Sequence, residues 1–431
     1  MATPPARSPG GYARGARVLS IGIASTGIFT FAYFAVASHV LTKHAYGSVS
    51  LLWSVLFVVI SIIYRPVEQL LSRTIAARRA AGLSGGHPLR TPALIQLGFA
   101  ATFLVVALTL RSHIEDAFDS RALYWVLVVA TCTYAASYFA RGWFAGHQWF
   151  GLYGGLVLFE SVSRFCFPLA AAIGLTHGET AVALGVAAAP LASLLVLPWA
   201  LGRGEGSDGA RDDLSLREGG GFALSVAGVQ LAEQTLLNAP VLIVAAQADS
   251  ALAGVVFSAL LIARAPLQLF QSIQTSLLPH LAGGGDIGRA IRVTVLAIAG
   301  FAGLVALGLL AVGPFAMNVL FGHIHHYGRF GLVLLAVGMG LHLAGGALNQ
   351  AALARGQAAA AAACWLTTAA AFLAWMVFGP IGDRLLRTEV GYAGAAALLA
   401  LLLSALYRRP PSRRVDSSGR IAARTVHSMS R

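Results

Sequence analysis

The sequence predicts an all-α polytopic membrane protein of about twelve transmembrane helices in two six-helix, pseudo-symmetric bundles. Three observations carry this. Long apolar stretches recur from residue 18 to residue 407. The composition is 57% hydrophobic and 11% charged, with a mean hydropathy of +0.74. No connector between the apolar stretches is long enough to fold as a domain of its own. Crossing a bilayer takes roughly 20 apolar residues, because the hydrocarbon layer is about 30 Å thick and a helix rises about 1.5 Å per residue.

Taken in order, the first six spans read as 18–40, 48–71, 93–110, 122–140, 154–175 and 180–201. The second six read as 221–247, 252–278, 290–312, 330–349, 358–378 and 388–407. Residues 1–17 form a Pro/Gly/Arg-rich leader without a small-residue cleavage site, ahead of a signal-anchor helix. Residues 202–220 mix Arg with Asp and Glu as a solvated linker does, which divides the chain into bundles 18–201 and 221–407. Residues 408–431 form a basic tail with seven arginines, suited to anionic lipid headgroups.

An even number of spans puts both termini on one face, and most Lys and Arg of the connectors fall on that face. Arg-rich connectors stay cytoplasmic, so both termini are expected in the cytoplasm. The same asymmetry accounts for the net charge of +13. A nucleic-acid partner is not called for, because no folded basic module is available to present the charge. Cys132, Cys166 and Cys364 fall within spans and are expected as buried free thiols.

The two halves echo each other. Span two ends YRPVEQLLSRTIA from Tyr64, and span eight carries ARAPLQLFQSIQT from Ala263, aligning Pro66 with Pro266. Ala140-Arg141-Gly142 and Ala354-Arg355-Gly356 occupy the ends of spans four and ten. Six-helix repeats preserve orientation, so a binding site is expected between the halves near mid-membrane.

Charges at membrane depth cost a few kcal/mol each and need a partner or a water-filled cavity. Six fall there: Arg65, Glu68, Glu160, Arg164, Glu233 and Arg264. Glu160 and Arg164 are four apart and can pair on one helix face, as a structural ion pair or a cavity element. Arg65 and Glu68 can pair locally or face a cavity. Glu233 belongs to a polar stripe with Gln230, Gln234 and Asn238, followed by Pro240, and Arg264 precedes Gln268 and Gln271. Glu233 and Arg264 either neutralise each other or line a cavity. The central-cavity set is therefore Arg65, Arg264, Glu233, Glu68, Gln230 and Gln268. Three positive against three negative charges give no net cationic cavity.

Enzymatic motifs are missing. The sole lysine, Lys43, has no glycine-rich loop before it, so no P-loop exists. Gly283-x-Gly285-x-x-Gly288 follows a span and not a strand, and reads as a turn. His323, His325 and His326 lack an acid or thiol to complete a metal site. Asp383, Arg384 and Glu389 are too sparse for acid/base work. The chain is read as a non-enzyme with no catalytic or metal residue and no cofactor.

Two stretches, RPVEQLLSRTIAARRA from Arg65 and ARGWFAGHQWFGLYGGLVLFESVSRF from Ala140, together with the two-bundle layout, resemble the multidrug/oligosaccharidyl-lipid/polysaccharide exporter superfamily. Within it the chain looks most like bacterial polysaccharide-biosynthesis flippases. That resemblance implies a V-shaped pair of bundles alternating between inward- and outward-open states. It implies as cargo a polyprenyl-diphosphate-linked saccharide, with membrane lipids and polysaccharide-assembly machinery as partners. Arg65 and Arg264 match cavity arginines of relatives that flip lipid-linked precursors; Glu68, Glu160 and Glu233 are departures. The rival reading within the superfamily is a multidrug exporter coupled to protons or sodium, for which Glu233 is the candidate ion site.

Overall fold

The computed structural model describes residues 9–80, 89–196, 198, 215–281, 287–322, 327–355 and 357–408. The described residues are helical, and no strand occurs among them. In the first half, α1 (Pro9–Val40) is followed by α2 (Lys43–Ile63), α3 (Arg65–Ala80), α4 (Arg90–Thr109) and the short α5 (Arg111–Phe118). Then come α6 (Arg121–Gly146), α7 (Phe150–Ala172) and α8 (Glu179–Ser193). The second half holds α9 (Leu216–Gln247), α10 (Ser250–Leu281), α11 (Ile287–Phe321), α12 (Arg329–Ala354), α13 (Ala358–Phe378) and α14 (Arg384–Arg408).

Ten helices are long and apolar enough to cross a membrane, and two shorter apolar helices, Ala24–Val40 in α1 and Ser250–Pro266 in α10, join them. Every one of the twelve expected spans has its helix. α1 starts at Pro9, inside the segment read as a leader, and α9 starts at Leu216, inside the segment read as a linker. The tail from residue 409, residues 201–214, His323, His325 and His326, and Gly283 and Gly285 lie outside the described residues.

The expected echo between spans two and eight is uneven. α2 and α3 are separated by a turn at Tyr64, although Tyr64 N–H still reaches Ile60 O and Glu68 N–H reaches Tyr64 O. The pair therefore runs on as one span interrupted by a single turn. α10 passes Pro266 without interruption, and α9 likewise contains Pro240. Proline removes one donor but leaves its neighbours able to continue a helix, so identical spacing yields a turn in one half and an uninterrupted helix in the other.

Packing follows the membrane rule that small residues allow backbones to approach. In the first half α1 lies along α7, α7 along α8 and α3 along α6. In the second, α12 lies against α11 and α14, and α13 against α9 and α14. The halves meet where α2 packs on α9 and α10, α1 on α10, and α3 on α9. α4 and α11 turn large apolar side chains outward: Leu97, Val105, Leu304 and Leu307 are each about two-thirds exposed, as lipid-facing residues are. Cys132 and Cys166 share that outer surface and Cys364 is half-buried, which corrects the expectation of buried thiols.

At one end the halves are sealed. A side-chain carbon on Gly47 would run into the backbone of Ser250, so α2 and α10 touch main chain to main chain there. Tyr46 and Ser258 share a hydroxyl hydrogen bond at 2.8 Å, and the Phe34 and Phe257 rings lie 4.4 Å apart. This end carries the connectors at 41–42 and 248–249. Between the halves, from the membrane interior to the opposite end, lies a large cavity.

Candidate functional site

The cavity has a volume of about 2080 Å³. Its lining runs from Trp53 and Asn238, beneath the seal, to Arg73 on α3, Gly221 on α9 and Ala358 on α13 at the opposite face. It therefore opens on the face that carries Pro9 at the start of α1 and Arg408 at the end of α14, and is closed on the other.

All six charges expected at membrane depth line this one space. Arg65 donates from Nη1 to Gln230 Oε1 at 3.0 Å, crossing from α3 to α9. Gln230 passes the link on, its Nε2 donating to Glu233 Oε2 at 3.0 Å. Glu68 accepts instead from the Tyr153 hydroxyl at 2.8 Å. Arg65 and Glu68 thus turn to different partners, and the local pair considered from their spacing is replaced by two separate contacts. The reason lies in the fold: Gly142 lets α6 close onto the backbone at Glu68, which brings α7 and Tyr153 within reach of that carboxylate. Arg264 lines the cavity on α10, one helix over from Glu233. Gln268 is on α10, but its side chain is outside the described residues.

The Glu160–Arg164 pair forms as expected, with Arg164 Nη2 3.0 Å from Glu160 Oε1. It is not a closed pair. Arg141 Nη2 approaches Glu160 Oε2 at 2.5 Å, and the Ser137 hydroxyl donates to the same oxygen at 3.1 Å. Arg164 also donates to the Tyr134 hydroxyl at 2.8 Å and lies over the Trp53 ring at 4.7 Å. Two guanidiniums around one carboxylate make a net-cationic triad. The Nε atoms of both Arg141 and Arg164 are buried without a hydrogen-bond partner.

Arg73 is a second addition. It lies at the open end, its Cζ 5.1 Å from the Phe222 ring centroid of the other half. With Arg73 and Arg141 included, five arginines and three glutamates line the cavity among the described residues. This overturns the even charge balance read from the sequence. Neither arginine stands out in the sequence as a membrane-depth charge, since Arg73 falls beyond the apolar part of span two and Arg141 sits at the exit of span four. Spacing held the clue for both. Arg65, Gln69 and Arg73 recur every four residues on α3, and Tyr134, Ser137, Tyr138 and Arg141 share one stripe of α6. The matching Arg355 behaves differently: α12 stops beside it, and its guanidinium sits on the Tyr407 ring and carbonyl, outside the cavity.

The described residues thus form two helical halves with a charged cavity between them. Comparison with solved structures agrees. The eukaryotic MATE transporter AtDTX14 matches with a TM-score of 0.62 at 16% identity, over 92% of this chain and 96% of that one. An inward-facing multidrug resistance MATE family transporter of the MOP superfamily gives 0.62 at 14%, over 90% and 98%. The bent form of the Vibrio cholerae MATE transporter VcmN gives 0.59 at 17%, over 93% and 98%. The chain has the MATE transporter fold. No protein-family model and no curated protein sequence matches it.

Proposed function

We propose that this protein is a flippase that moves a polyprenyl-diphosphate-linked oligosaccharide from the inner to the outer leaflet of a bacterial inner membrane by alternating access, for cell-surface polysaccharide biosynthesis. The observation that carries this reading is the charge of the cavity, five arginines against three glutamates. A diphosphate cannot cross hydrocarbon unaided, and guanidinium groups match its oxygens in geometry. The Arg141–Glu160–Arg164 triad, with donors left unpartnered, offers one such contact, and Arg65 and Arg264 offer others. With both termini in the cytoplasm, the open end faces the leaflet where lipid-linked precursors are assembled. An interior-negative potential then contributes about 2.3 kcal/mol per charge per 100 mV to outward anion movement.

The second reading is an exporter of cationic drugs coupled to protons or sodium, and it rests on Glu233, a carboxylate on the cavity wall held by the neutral donor Gln230. The experiment that decides is mass spectrometry of polyprenyl-linked intermediates after depletion, with rescue by wild type or by Arg264→Ala. Accumulation of one complete lipid-linked saccharide, cleared by wild type and not by the variant, is the expected result. Sensitivity to cationic drugs without accumulation would transfer the function to the ion-coupled exporter.

A further inference from the structure

The two walls of the cavity differ in chemistry, and the difference divides the cargo. Of the charged lining residues, Arg65, Glu68, Arg73, Arg141, Glu160 and Arg164 belong to the first half. Among the described residues the second half contributes one of each sign, Glu233 and Arg264, which cancel. What it presents instead are neutral hydrogen-bonding groups: Gln234 and Asn238 on α9, and His342, Asn349 and Gln350 on α12.

His342 is the informative member. It is 5% exposed, lines the cavity, and its Nδ1 is buried with no hydrogen-bond partner. A buried polar atom left unpaired costs about 1–3 kcal/mol, so a fold that keeps one at a cavity wall keeps it for something that enters. The ring is held in place by its neighbours. Trp365 meets it edge-on at 5.5 Å, Tyr392 lies parallel to it at 6.4 Å, and the Trp365 indole N–H is occupied by Asn349 Oδ1 at 3.1 Å. Amides and a neutral imidazole, which both donate and accept, suit hydroxyl groups better than phosphate oxygens, which only accept.

We infer that the second half's wall, centred on His342, is a saccharide subsite, facing a first-half wall that takes the diphosphate. This deepens the proposed function and rests on it. It assigns the parts of one cargo to opposite halves, so a lipid diphosphate lacking sugar engages one wall and the sugar-bearing lipid engages both.

The test is binding to the full-length protein in nanodiscs, with polyprenyl diphosphate and polyprenyl-diphosphate-linked N-acetylglucosamine as two probes. Wild type is expected to hold the sugar-linked probe more tightly. His342→Phe keeps a ring between Trp365 and Tyr392 but removes both nitrogens. It is expected to weaken the sugar-linked probe by about ten-fold, the worth of a hydrogen bond to a buried polar group, and to leave the sugarless one unchanged. His342→Asn, which keeps a donor and an acceptor near the Nδ1 position, is expected to retain part of the preference. Arg141→Gln is expected to weaken both probes. Equal wild-type affinity for the two probes, or equal loss of both in His342→Phe, overturns the subsite and leaves the flippase reading standing. Failure of wild type to bind either probe overturns the flippase reading itself.

Discussion

Arg65 on α3 donates to Gln230 on α9 at 3.0 Å, so a residue of the first half and a residue of the second are joined inside the cavity. The same amide holds Glu233, which places a neutral relay between a guanidinium and a carboxylate on opposite walls. Replacing that relay by a charge has a defined consequence. Gln230→Glu sets a carboxylate against Arg65 and takes one unit of positive charge from the cavity. A charge-assisted hydrogen bond is worth about 1.5–3 kcal/mol, so polyprenyl diphosphate binding to purified protein is expected to weaken by about ten- to a hundred-fold. Unchanged affinity would remove Arg65 from the binding set.

The triad on α6 and α7 makes a prediction about stability. Glu160→Gln leaves Arg141 and Arg164 facing each other with only a neutral amide between them. Removing one member of a buried ion pair costs about 3–5 kcal/mol. The variant is expected to unfold at a clearly lower temperature in detergent, and adding Arg141→Gln is expected to restore part of the loss. Additive losses in the double variant would mean the two side chains are not coupled.

The seal is tested at Gly47. A bulky side chain there collides with the Ser250 backbone, so Gly47→Val is expected to part α2 from α10 on the closed face while the helices stay folded. In a background with Cys132, Cys166 and Cys364 changed to serine, cysteines at positions 46 and 258 joined by a short bifunctional maleimide report this, since a tyrosine ring now bridges the two positions through its hydroxyl. Crosslinking is expected in the otherwise unchanged protein and lost with Gly47→Val. Crosslinking that persists would place the seal elsewhere.

The helices were legible in the sequence because each span answers to one physical requirement, enough apolar length to cross hydrocarbon. The site was legible only where a charge interrupted an apolar run, as at Glu160, Arg164, Glu233 and Arg264. Arg141 escaped because it ends such a run, where an arginine ordinarily snorkels to headgroups. Whether it turns inward instead depends on α7 delivering Glu160 to the same level, a tertiary fact. His342 is one polar residue in a Gly/Leu-rich helix, and its meaning comes from an unpaired nitrogen that no spacing reveals. The repeat between spans two and eight is matched in residues and not in helix continuity, since only the first is interrupted by a turn, at Tyr64 just before its proline.

The central claim is that an excess of arginine in the cavity selects anionic lipid cargo, and reconstituted transport tests it most directly. Proteoliposomes with the wild-type protein would carry a fluorescent polyprenyl-diphosphate-linked sugar in one arm and ethidium in the other, with Arg141→Gln and Arg264→Gln as paired variants. Transfer of the labelled lipid between leaflets by wild type, reduced in both variants, with no movement of ethidium, is the result expected. Ethidium transport that survives both arginine substitutions, with the lipid left in its starting leaflet, would contradict the account.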